Sequence, residues 1–190
     1  MTMRAICGLA VLAMLVAAPL RAAEPLAPMA GISESAAKER AALFAALKAT
    51  KNDAEARAVE ERLWTFWRSF GDAQSQELLR RAEAAQLDFD YGHALEALYE
   101  LVAHQPDFAE GWNRLAYALF LANSYDASLS ALDKVLALEP MHYAALAGKG
   151  IILTQQGKEA EAQAPLKRAL AIDPWLKERN LIGKPPEPRP

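Results

Sequence analysis

SQELLRRAEAAQLDFDYGHALEALYELVAHQPDF (75–108), AEGWNRLAYALFLANSYDASLSALDKVLALEPMH (109–142) and YAALAGKGIILTQQGKEAEAQAPLKRALAIDPWL (143–176) are three consecutive stretches of equal length, and they decide how this chain folds. Their prolines, Pro106, Pro140 and Pro174, stand 34 residues apart. Numbered from the first residue of each stretch, position 4 holds Leu78, Trp112 and Leu146, and position 24 holds Leu98, Leu132 and Leu166. Position 8 holds Ala82, Ala116 and Gly150, and position 20 holds Ala94, Ser128 and Ala162. Small residues at 8 and 20 let two antiparallel helices approach closely, while large ones at 4 and 24 fill the space between successive pairs. Proline lacks a backbone donor and stops the second helix of each pair. Each pair leaves an apolar face open, and stacking covers it.

This pattern resembles the tetratricopeptide repeat, a 34-residue helix–turn–helix unit with a large residue at 4, small residues at 8 and 20, an apolar residue at 24 and proline at 32. The resemblance implies an all-α fold: a right-handed solenoid of antiparallel helix pairs with units 75–108, 109–142 and 143–176. Two departures carry expectations of their own. Position 27, small in that family, holds Leu101 and Val135 before Ala169, which predicts a different helix spacing in the first two units. Pro165 falls inside the second helix of the third unit and predicts a kink or a late helix start there.

Outward from the repeats, residues 33–71 read as a helical hairpin outside the repeat register, a degenerate unit acting as an amino-terminal cap. Ser33 or Ser35 can N-cap its first helix, whose stripe is Leu43, Phe44 and Leu47. Asp53 can cap the second helix, and Gly71 suits the left-handed position that ends it. Leu63, Phe66, Trp67 and Phe70 share one face and predict packing against the next helical pair. Trp64 lies off that stripe, either as a second contact with the first helix or as a surface anchor. On the far side, Pro174 to Leu181 can start a short capping helix, its end at 177–182, with Trp175 and Leu176 over the last apolar face. The four prolines of 184–190 make 183–190 a Pro-rich tail.

The amino terminus has the form of an export signal, 1–22. Arg4 supplies the positive start, Ala5 to Val16 is apolar apart from Gly8, and Pro19 precedes the small Ala22 and Ala23. Cleavage after Ala22 leaves a flexible linker, 23–32, with Pro25, Pro28 and Gly31. It also removes Arg4 and Arg21, taking the net charge from −3 to −5, together with Cys7, the single cysteine of the chain. The mature protein is expected to be periplasmic or secreted, without stable membrane insertion, disulfide or thiol chemistry. With no basic run and a negative balance, nucleic acid is excluded as a partner.

The resemblance places a groove on the first helix of each unit. The first unit offers Gln76, Leu79, Arg80 and Glu83. The second offers Glu110, Asn113, Arg114, Tyr117 and Phe120, and the third offers Ile151 and Gln155. Small Ala144, Ala147 and Gly148 leave room there for a bulky side chain of a partner. The clamp that chaperone-binding members of the family close on a terminal carboxylate would fall on Leu79, Glu83, Arg114, Ala144 and Gly148, and none of these matches. Asn113 and Arg114 either bind a peptide backbone or an acidic group, or form an ordinary solvated face. No His-Glu-x-x-His, Gly-x-Ser-x-Gly or dinucleotide glycine pattern is present, and Gly157–Lys158 reads as a turn. His93, His104 and His142 lie on different units without metal-ligand spacing and read as surface or helix-end residues. The reading is therefore a protein- or peptide-binding module of the cell envelope with no catalytic residue, metal or cofactor. The alternative is a structural role in which the aromatic hairpin or the terminal faces join copies of the chain into a homo-oligomer.

Overall fold

The computed structural model describes residues 31–182; the expected export signal with Cys7, most of the expected linker and the Pro-rich stretch lie outside the described residues. These residues form eight α-helices: α1 (Glu34–Ala49), α2 (Asp53–Arg68), α3 (Ala73–Leu87), α4 (Tyr91–His104), α5 (Ala109–Leu121), α6 (Tyr125–Leu138), α7 (Tyr143–Gln155) and α8 (Glu159–Ile172). A single 3-10 segment, Lys177–Leu181, follows where a capping helix was expected. Helices α3 and α4, α5 and α6, and α7 and α8 pack as pairs, and α4 meets α5 as α6 meets α7. The three 34-residue units are thus three stacked hairpins.

The residue sizes explain the packing. Ala82, Ala94, Ala116 and Ala162 are buried where the paired helices cross. At Gly150 a Cβ would lie 2.4 Å from Leu166 Cγ, so only glycine fits. Ser128 is small enough for the same crossing, and its buried hydroxyl is satisfied by donating to the Ala116 carbonyl at 2.7 Å. The large Leu101 at position 27 is accommodated by Gly111 on the next unit, where a Cβ would stand 2.1 Å from Leu101 Cδ2.

Each first helix ends in the same way. Phe89, Asn123 and Gly157, all at position 15, adopt left-handed φ of 59°, 57° and 71°. The amide after each donates back five residues: Asp90 to Ala85, Ser124 to Leu119, and Lys158 to Leu153. Glycine or asparagine suits this geometry, whereas a phenylalanine is strained in it. Pro165 does not delay α8, which starts in phase with α4 and α6 and runs unbroken through it. The carbonyl that loses its donor belongs to the exposed Glu161, where water can replace it.

The amino-terminal hairpin is where the structure departs furthest from expectation. It does not pack as a cap ahead of the first unit: α2 touches α5, and α1 touches α8. The hairpin lies along the edge formed by the turns between units, as a strap across all three. Position 31, the residue before each proline, is polar and meets it every time. Gln105 donates to the Phe70 carbonyl at 2.8 Å and accepts from Ser75 Oγ, also at 2.8 Å. Glu139 receives Arg40, with Nε at 2.6 Å and a terminal nitrogen at 2.5 Å. Asp173 is the neighbour of Glu60. Leu63, Phe66 and Trp67 are buried with Leu43, Phe44 and Leu47 from α1 and with Tyr143 of the third unit. The caps differ in detail as well: Asn52, not Asp53, accepts the Glu55 amide at 2.9 Å. Gly71 is not left-handed; it is there because a Cβ would stand 2.9 Å from the Phe108 ring.

Glu139 and Arg40 are both fully enclosed, and Glu139 also accepts from Trp67 Nε1 at 3.4 Å and the Met141 amide at 2.9 Å. Removing one member of such a pair strands the other charge, at a cost of about 3–5 kcal/mol. Arg40→Met is expected to lose stability on that scale in urea unfolding, and Arg40→Met combined with Glu139→Leu to recover most of it. A double variant as unstable as the sum of its single ones would show that the pair is not coupled.

Candidate functional site

A cavity of about 530 Å³ opens between α5 and α7. It falls within the range of volumes typical of ligand pockets. Helix periodicity puts Asn113, Arg114, Tyr117 and Phe120 on one wall and Ala144, Ala147, Gly148 and Ile151 on the other. Ser128 and Leu132 of α6 form the floor. The three smallest of these, Ala144, Ala147 and Gly148, account for the free space. Two further pieces close the ends: Trp64 from the strap, and Leu176 with Glu178 from the segment after α8.

Of the sequence-predicted residues, Asn113, Arg114, Tyr117, Phe120 and Ile151 come together on this cavity. The others do not. Leu79 is fully buried in the core, and Glu110 is fully buried too, so both are corrected from groove surface to interior. Leu79 packs into the core shared by the first two units, and Glu110 lies under His142 at the turn into the third, 3.7 Å from its Nε2. Gln76 spends its amide on the carbonyls of Arg68, at 2.6 Å, and Gly71. Arg80 pairs with Glu77 beside it. Glu83 stands 3.3 Å from Arg68 and 3.7 Å from Arg114. Gln155 is exposed at the end of α7, away from the cavity.

Beneath the wall lies a closed set of charges. Glu110 accepts from Arg114 Nε at 2.6 Å and from Asn113 Nδ2 at 3.1 Å. Its carboxylate is 3.7 Å from His142 Nε2. Burial alone would push the Glu110 carboxyl up, but His142 and Arg114 together outweigh it and hold it below the usual range. Arg114 is therefore neutralised from two sides, by Glu110 and Glu83, and is not free for an acidic ligand. His142, expected as a surface or helix-end residue, does cap α7 by accepting the Ala145 amide at 3.2 Å, but it is fully buried. Its ring stacks on Trp67 with centroids 4.0 Å apart. Trp64 makes edge contacts with Trp67, His142 and Tyr143, so it is neither a partner of α1 alone nor a free anchor. Trp175 likewise packs into the strap cluster.

Trp64, Leu176 and Glu178 were not predicted for the site. The one local hint was that Trp64 sits off the apolar stripe of its helix; the fold-back of the strap, which brings it here, leaves no short-range signal. Among the described residues no group of three or more His, Cys, Asp and Glu is placed to hold a metal ion, and no helix is long and apolar enough to cross a membrane.

The chain is 33% identical over 132 residues to a TPR repeat-containing protein of Rhizobium etli, a match spanning 70% of this chain and 65% of that relative. It is similar to that tetratricopeptide-repeat protein along about two-thirds of the relative's length. No family model matches the chain. Among solved structures, the second TPR domain of human RPAP3 in complex with an HSP70 peptide, SGPTIEEVD, superposes with a TM-score of 0.54 at 20% identity. That match covers 58% of this chain and 97% of the domain. The Arabidopsis OM64 TPR domain gives 0.54 at 18% identity, over 56% of this chain and 93% of its own. These likenesses establish the solenoid fold.

Glu60 adds a pH dependence next to the site. Its carboxyl is pushed up to about 7, first by burial and then by the neighbouring Asp173. Asp173 has one oxygen on the Trp175 amide at 3.0 Å and the other, Oδ2, buried without a partner, an acceptor for a protonated Glu60. A carboxyl held above its unfolded value of about 4.3 binds its proton more tightly in the fold. Its stabilisation is complete below that value and is lost as pH rises through about 7. Glu60→Gln is expected to match wild type in Tm near about pH 5 and to exceed it near about pH 8, read by thermal unfolding; parallel curves would remove Glu60 as the cause.

Proposed function

We propose that this chain is an exported module that holds a protein or peptide segment in the cavity between α5 and α7, serving assembly or maturation at the cell envelope. The observation that carries the reading is the cavity itself: about 530 Å³ of largely apolar space between two first helices, left open by three small residues in a row of repeat positions. Open apolar space of this size, with a few polar groups at its margin, is what a bound side chain needs. Solved relatives of the same fold hold chaperone-derived peptides, among them the HSP70 peptide on human RPAP3. The polar groups nearest the cavity are committed to one another, Glu110 to Arg114 and Asn113, which favours holding a ligand over transforming one. Export is supported by the signal-like residues 1–22, and the negative net charge of −3 argues against nucleic acid.

Two outcomes are expected. Gly148 tolerates a side chain, since a Cβ there meets Leu132 at an ordinary 3.6 Å. Gly148→Leu should fill the cavity, gain up to about 1 kcal/mol from helix propensity, and lose capture of partners from an envelope extract that wild type retains. Undiminished capture by that folded variant would place binding elsewhere. Fractionation with amino-terminal sequencing should find a protein beginning near Ala23 outside the cytoplasm; full-length cytoplasmic protein would remove the export reading.

A further inference from the structure

The charges around the cavity select a ligand class, an inference that rests on the cavity being the binding site. Arg114, the cation on its wall, is held by Glu110 at 2.6 Å and faces Glu83 at 3.7 Å. Arg68, the next cation along, faces Glu83 at 3.3 Å. Neither guanidinium has an unmet charge to offer an anion. Glu178 at the rim is half-buried, and no ion pair or hydrogen bond of its side chain to the described residues is present. It is the one charge on the cavity lining that no counter-charge meets among the described residues. Trp64, Tyr117 and Phe120 add aromatic surface close by, and aromatic faces attract cations.

The groove continues in the same character away from the cavity. Tyr117 is 53% exposed, and Leu121 and Leu87, at position 13 of the second and first units, are 39% and 81% exposed. Beyond Leu87 stand the exposed Asp88 and the strained, 77% exposed Phe89. Apolar contacts flanked by carboxylates thus run from the cavity to the far turn of the first unit.

We propose that the cavity receives a peptide segment that inserts one bulky apolar side chain between α5 and α7 and sets a neighbouring lysine or arginine against Glu178. A terminal or side-chain carboxylate is the wrong partner for this surface: the cations that would meet it are neutralised, and Glu178 would repel it. The ligand is of opposite charge to the acidic SGPTIEEVD peptide on the human RPAP3 domain.

The test uses the protein without its export segment and three fluorescent peptides of glycine and serine, blocked at both ends. One carries tryptophan followed by arginine, one tryptophan followed by glutamate, and one alanine followed by arginine. Fluorescence anisotropy should give the tryptophan–arginine peptide a Kd at least about tenfold below those of the other two. Glu178→Gln should bring the tryptophan–arginine and tryptophan–glutamate peptides within about threefold of each other while leaving the dependence on tryptophan intact. A tryptophan–glutamate peptide bound as tightly as the arginine one overturns the charge assignment and leaves the cavity as a binding site. An alanine–arginine peptide bound as tightly as the tryptophan one overturns the apolar anchor. Absence of binding by all three at about 1 mM overturns the cavity reading together with this inference.

Discussion

One carboxylate organises the meeting of the amino-terminal hairpin with the repeats. Glu139 sits at the end of α6, before the proline that closes the second unit, and receives Arg40 from 99 residues earlier in the sequence. A carboxylate taken out of water is tolerated only when its lone pairs are filled, and here a guanidinium, an indole and a backbone amide fill them. The demand is strict in direction as well as in number. A bidentate guanidinium can approach from one plane only, so satisfying Glu139 sets where α1 lies and, through the Trp67–His142 stack, where α2 lies.

The candidate site inherits that placement. Trp64 reaches the cavity because α2 is fixed across the inter-unit turns, and Leu176 and Glu178 reach it because the chain turns back after Pro174 against the same aromatic cluster. The repeats supply two walls and the floor, and the segments that are not repeats supply the ends. A generic groove thereby becomes a bounded cavity with its own charge and its own aromatic edge.

The repeats were legible because their physics is local: a crossing that admits only alanine, serine or glycine writes itself into every unit at the same spacing. The open space at Ala144, Ala147 and Gly148 was legible for the same reason. The strap was not. Its apolar stripe announced that Leu63, Phe66 and Trp67 would be buried, yet a stripe does not say against what, and sequence adjacency favoured the first unit. The deciding contacts join Arg40 to Glu139 and Glu60 to Asp173, pairs whose separation leaves no pattern in one sequence. Glu110 and Leu79 were misplaced by a subtler effect. Position in a repeat gives the face of a helix, but burial depends on how deeply the neighbouring unit covers that face.

The strap also changes how the array should come apart. In an open solenoid each hairpin touches only its neighbours, so terminal units can fray alone and stability grows unit by unit. Here α1 meets α8 and α2 meets α5, which ties the amino-terminal hairpin to the second and third units at once. Loss of the third unit would uncover Tyr143, Trp175 and the aromatic face of the hairpin at once, and loss of the hairpin would expose the turns of every unit. The chain is closed into one cooperative body, with the slower, long-range contact formation that closure brings.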